Sequence, residues 1–253
     1  MLENCIHWIW YATPVVQAAL VVKLLKLGLA STYVWFFVWM CFGLLQNLVL
    51  MAMVNQPATY TLTWIVSLVF TGVLEVGAAW EVFWQRSQHY GGVRAFGRGL
   101  LIVVIVVAVA AALFVIGAEI RAPGLQRIAK TTLILKRTLD SALALFLLAA
   151  GAVFLFFHET RVKQNIVRHF SILAGYFTAI AGGFLTGNLT GRSGYTWVNL
   201  WFGLVSLGCF GLWLWAFRTQ GEHSDTLPPS SPEERERLQH LDSQLRDLLK
   251  SVL

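Results

Sequence analysis

Charge is what this sequence has least of. Only 13% of its 253 residues are Asp, Glu, Lys or Arg, about half of the roughly 25% that a soluble globular chain carries. So little polar surface cannot solvate a body of this size in water, and lipid is the expected solvent. Cysteine is scarce as well. Cys5, Cys41 and Cys209 stand far apart and form no CxxC pair, which excludes a disulfide framework and a cysteine zinc site. They are expected to act as small apolar packing residues.

Histidine is present but in the wrong places for chemistry at depth. His7, His89, His158, His169, His223 and His240 all fall at the ends of apolar runs or outside them. A haem-bearing bundle needs axial ligands within it, and a metal-dependent membrane hydrolase needs clustered His and Asp ligands. No cofactor and no metal are therefore expected. The near-motifs fail on inspection. His158-Glu159 is followed by Val162 where HExxH requires its second histidine. Gly191-Arg-Ser193-Gly194 is one residue short of GxSxG. The GGVRAFGRG run from Gly91 lacks the lysine and hydroxyl of a phosphate-binding loop. The last apolar run contains no lysine for a retinal Schiff base. No catalytic motif is present, and enzyme activity is not expected.

Proline is rare inside the apolar runs, where Pro14 stands alone, and the chain shows no internal repeat. Both weigh against the paired broken helices of secondary transporters.

What the sequence does have is length without charge. It is 57% hydrophobic with a mean hydropathy of +0.65, and a membrane-crossing helix needs about 20 apolar residues. Seven runs qualify, at 6–22, 33–54, 61–84, 100–118, 132–157, 170–186 and 196–217. The expected fold is an all-α integral membrane protein, a seven-transmembrane-helix bundle. The fourth run is apolar on every face and is expected at the periphery. The stretch from Arg127 to Phe157 is too long for one span at about 1.5 Å per residue. Either its helix projects from the membrane, or 125–137 bends along the interface.

Positive charge sets the expected orientation. Lys23, Lys26, Arg86, Arg94, Arg98, Arg161, Lys163, Arg168 and Arg218 fall on one side of the spans. Arg121, Arg127, Lys130, Lys136, Arg137 and Arg192 fall on the other. Nine against six places the first side in the cytoplasm and the N-terminus outside, in what is expected to be a bacterial inner membrane. The formal charge of +6 is thus read as topology and lipid contact. No aromatic-interleaved basic face suggests a nucleic-acid partner.

Three segments follow: a transmembrane domain at 1–217, a flexible linker at 218–231 and a cytoplasmic amphipathic helix at 232–253. In the last, Ser231 reads as an N-cap, Pro232 as the first helical residue and Glu234 as the third member of a capping box. Leu238, Leu241, Leu245, Leu248 and Val252 then repeat at three and four residues, a heptad seam for a coiled-coil partner. A cytoplasmic protein, a second copy or this chain's own inner loops could supply it. The near balance of acid and base on this helix favours a protein over the membrane surface.

Ionisable groups inside a membrane are costly and face the bundle interior. Glu75 is the foremost candidate. Ser67, Thr71, Glu75 and Ala78 make one small, polar helical face, Gln46 and Asn47 on the second span lie at similar depth, and Asn199, Gly203 and Ser206 share a face on the seventh. Glu75, Asn47, Asn199 and Thr71 are therefore the candidate ligand-binding set, against the simpler reading that such faces are helix-packing seams. Asp140, one turn after Lys136, reads as a local ion pair near the outer interface, and Glu81 as structural. Seven spans with a cytoplasmic helical tail resemble, in architecture alone, the membrane half of bacterial seven-helix receptors. The expected function is accordingly a sensing or signalling module that passes a change in helix packing to a cytoplasmic partner. An accessory subunit of a larger membrane complex and a small-solute or ion transporter subunit are the alternatives.

Overall fold

The computed structural model describes residues 2–88, 90–119, 124–156, 162–190, 195–222 and 232–252. All of its elements are helical. They are α1 (Leu2–Lys26), α2 (Val34–Ala52), α3 (Pro57–Arg86), α4 (Gly91–Glu119), α5 (Gly124–Phe156), α6 (Gln164–Thr190), α7 (Tyr195–Ala216) and α8 (Pro232–Val252), with short 3-10 turns at Leu29–Ser31 and Thr219–Glu222. Seven of them, α1 to α7, are long and apolar enough to cross a membrane. The sites at Gly191–Gly194, His158-Glu159 and Ser231 lie outside the described residues, as do the side chains of Glu234, Leu238, Leu248 and Val252.

α1, α3, α4, α5 and α6 are longer than their apolar runs because polar residues continue the helix at their ends, whereas α2 is shorter than its run and α7 matches it. α5 settles the length question raised by its sequence: it is one continuous helix of 33 residues, about 50 Å long, with no break near Arg137. α3 opens on Pro57 in its first turn, where a missing N–H costs nothing.

Side-chain pairings fix how the helices run. Gln46 meets Thr71 while Trp35 meets Glu81, so α2 and α3 are antiparallel. Lys136 meets Glu75 and Phe146 and Phe154 meet Phe83, so α3 and α5 are parallel. α1 lies along α7, with Lys23 bonded to the Leu214 carbonyl. The starts of α2, α4 and α6 therefore share one end of the bundle with Arg218 and with α8, which packs on α4. We call this the tail end.

The core is aromatic at the tail end. Tyr33, Phe36, Trp39, His169, Trp213 and Phe217 are buried and pack ring against ring, with Phe36 and His169 centroids 4.5 Å apart. Phe83, Phe146, Phe154 and Phe170 form a second group. Gly97 is required beside it, since a Cβ there would overlap the Phe83 ring. α4 is peripheral as its sequence implies: Leu101, Ala108 and Ala112 are buried, while Ile102, Val103, Val106, Val107, Leu113 and Phe114 are exposed on its other faces.

Candidate functional site

Glu75 is 1% exposed, and the group that meets it comes from α5. The Lys136 Nζ lies 2.8 Å from Glu75 Oε2 and donates to Asp140, 2.7 Å from Oδ2. Lys136 and Asp140 stand one turn apart on α5, which makes their pairing local. Lys136 reaches Glu75 because α5 continues unbroken alongside α3, with Leu139 packed against Gly72. Asp140 is 2% exposed, so the pair lies within the bundle and not at its surface. The continuous α5 carries Lys136 about 18 Å beyond Gly124, far enough to meet Glu75.

The three groups form a closed electrostatic unit. Two carboxyls share one ammonium, and Glu75 is also within hydrogen-bond reach of Asp140. The contact between Lys136 and Glu75 Oε2 is an ion pair without hydrogen-bond alignment, which leaves that buried oxygen without a directional partner. Tyr176 on α6 adds a phenol beside the cluster and hydrogen-bonds Ser206 on α7. Side chains from α3, α5, α6 and α7 thus meet around Glu75.

The other candidates divide. Thr71, one turn before Glu75, donates to the Ser67 carbonyl at 2.9 Å and to Gln46 Oε1 at 3.2 Å, which extends the polar face toward α2. Asn47 belongs to a separate seam: its Nδ2 donates to Gln17 Oε1 at 3.2 Å, and Gln17 in turn donates to the Met40 carbonyl at 3.0 Å. Asn199 is exposed on α7 and does not join the cluster. Among the described residues no group of His, Cys, Asp or Glu could hold a metal ion.

A second pattern occupies the tail end and was not visible in the sequence. Three helices begin there, and a carboxylate from elsewhere in the chain meets each one. Glu81 accepts from the Trp35 and Phe36 amides at 3.1 and 3.2 Å, closing the start of α2. Asp242, on α8, accepts through Oδ1 from the Gly92 and Val93 amides at 2.7 and 3.2 Å, closing the start of α4. Near the start of α6, Glu222 accepts from Tyr33 at 2.8 Å and from Asn165 at 2.9 Å and pairs with Lys163 at 3.2 Å. Glu81 and Asp242 satisfy free backbone amides at the positive ends of α2 and α4, whereas Glu222 takes side-chain donors beside the start of α6. Glu222 also organises the first part of the stretch read as a linker, since Thr219–Glu222 forms a turn held to α6. Burial holds the Tyr33 phenol above its ordinary range, and the Glu222 carboxylate adds to the effect.

Asp242 is the most consequential of the three because it belongs to the tail. Its second oxygen receives Arg246 at 3.1 Å. A side chain at Gly92 would collide with the Asp242 carbonyl and carboxyl, so the glycine lets α8 approach the backbone of α4. Leu245 is partly buried against the core, while Leu241 stays 37% exposed. The amphipathic tail therefore lies on its own bundle, leaving Leu241 of its seam outward. His169 was also missed: it is fully buried among rings with both ring nitrogens unbonded, although its position in the sequence suggests a span end.

The chain matches no protein-family model, no curated protein and no solved structure.

Proposed function

We propose that the protein is a membrane-embedded sensing module in which the state of the Glu75–Lys136–Asp140 cluster sets the position of the C-terminal helix. The observation that carries this reading is the seating of α8 on the start of α4 through Asp242. Among the described residues the tail is seated by the Asp242 contacts and by the partly buried Leu245, and this seating is the element that the cluster would switch. α5 carries two members of the cluster and packs on α4, so a shift of α5 would reach the surface on which α8 rests. A cluster of two carboxyls and one ammonium has an uncompensated negative charge when all three are ionised. A cation or proton arriving there is the stimulus it is best suited to register.

The proposed orientation puts the N-terminus outside and the tail in the cytoplasm, in a bacterial inner membrane. Lys136 is buried in the bundle, so it leaves the count of outward charges. Nine basic residues then face five, a stronger bias than the sequence alone gives. Released, α8 would offer Leu241 and Leu245, and the rest of its seam, to a cytoplasmic protein or a second copy.

A cysteine at Leu245 tests the reading in membrane vesicles. Thiol labelling there should be slow in the wild type and faster in Glu75→Gln and in Lys136→Met. Identical rates in all three would remove the link between cluster and tail. The buried cluster also favours a second reading, an ion-translocating subunit, which vesicle flux abolished by Glu75→Gln with α8 unmoved would establish in its place.

A further inference from the structure

The groove between α2, α3 and α4 near the tail end has a composition that the sensing reading does not use. It is about 550 Å³ in volume and is lined by Trp35, Val73, Trp80, Trp84, Arg98 and Ile102, among others. Binding pockets typically run roughly 300–1,000 Å³. It exists because α4 leans on α5 and α8 and meets α3 over only a short stretch, closed at Gly97 by the Phe83 ring. Beyond that point α3 and α4 part and the gap opens sideways. Its floor is Trp35, whose indole rests on Gly77, where a Cβ would collide with the ring. The walls are apolar, and Val73 and Ile102 on them are 58% and 53% exposed.

One end of this apolar gap is cationic. Arg98 lines it and, among the described residues, forms no ion pair. Arg98 lies two turns into α4, about 10 Å past Gly91, where a guanidinium needs a counter-anion or a route to water. Arg94, one turn earlier, stacks over the Trp84 ring at 3.9 Å and adds a second cation at the same mouth. Among the described residues neither arginine forms an ion pair, and the Glu81 carboxylate is directed at the α2 amides instead.

We propose that this groove is a binding site for an anionic phospholipid, with an acyl chain along Trp80 and Trp84 and the phosphate on Arg98. Charge complementarity selects the occupant. The walls offer an alkyl chain a sideways entry from the bilayer, and the mouth offers a phosphate the Arg98 guanidinium, which has no ion-pair partner among the described residues. Zwitterionic lipids fit the apolar part equally well but bring their own cation to Arg98, which weakens the pairing.

Native mass spectrometry of the full-length protein, released from detergent in an equimolar mixture of phosphatidylglycerol and phosphatidylcholine, tests this. One retained phosphatidylglycerol is expected, at several-fold preference over phosphatidylcholine. Arg98→Gln should bring the preference close to one, and Arg98→Lys should keep part of it. Val73→Trp, which fills the groove from an exposed position, should remove the retained lipid while leaving the charge intact. Arg127→Gln, at the opposite end of the bundle, should change nothing. Equal retention of the two lipids by the wild type, or a preference that survives Arg98→Gln, would overturn the proposal. Displacement of the lipid by glycerol phosphate at matched concentration would also overturn it, since the site would then read a headgroup without a chain.

Discussion

Lys136 joins Glu75 to Asp140: its ammonium stands 2.8 Å from the one and 2.7 Å from the other, at a point where α3 and α5 run parallel. Removing one partner of a buried ionic set strands the rest, at a typical cost of about 3–5 kcal/mol. Lys136→Met should therefore destabilise the bundle strongly, since it leaves two carboxyls facing each other. Glu75→Gln should cost less, because Lys136 keeps Asp140. The double variant should be milder than the sum, with a coupling on the order of 0.5–3 kcal/mol. Unfolding in mixed micelles measures all three. Equal and additive losses would mean that the residues do not act as a unit.

Tyr33 gives a pH dependence of definite sign. Its phenol donates to Glu222, and burial followed by that carboxylate raises its pKa above the ordinary value, which is about 10 for an unfolded chain. Above that pH the unfolded chain gives up a proton that the folded protein retains, so the contribution of Tyr33 is complete below about pH 10 and lost as pH rises further. The wild type should lose stability between about pH 10 and 11 more steeply than Tyr33→Phe. Matching slopes would place the phenol in water, free of Glu222.

The sequence made Glu75 legible and its partners illegible for the same reason. A lone carboxylate within an apolar run stands out because the membrane penalises it. Lys136 and Asp140 sit in a run whose other charges, Arg127, Lys130 and Arg137, place it at an interface, and only the unbroken course of α5 carries them to Glu75. The pairing of α3 with α5 joins helices that are not consecutive, and no local pattern encodes it. The same holds for Glu81, Asp242 and Glu222. A capping residue is readable when it precedes its own helix, whereas Glu81 and Asp242 cap helix starts far from them in sequence and Glu222 meets side chains that are equally distant. The peripheral place of α4 was legible because all of its faces are apolar.

Orientation has a direct check. Cysteines placed after Phe217 and within 187–194 should be labelled from opposite sides of the membrane by an impermeant reagent, the first only from the cytoplasm. Labelling of both from one side would mean an even number of crossings between the first site and the second, and would refute the proposed arrangement.

The position of α8 is the most direct measure of the account. Spin labels at Ala95 on α4 and Gln244 on α8, both exposed, report it by pulsed electron resonance in vesicles, with Cys5, Cys41 and Cys209 replaced. The wild type should give one narrow, short distance. Asp242→Asn, which weakens a cap worth about 0.5–2 kcal/mol, should broaden it toward longer values. Glu75→Gln, remote from both labels, should move part of the population the same way. A Glu75→Gln distribution identical to the wild type, with Asp242→Asn broadened as expected, would leave the tail seated by Asp242 but deaf to the cluster, and would contradict the central claim.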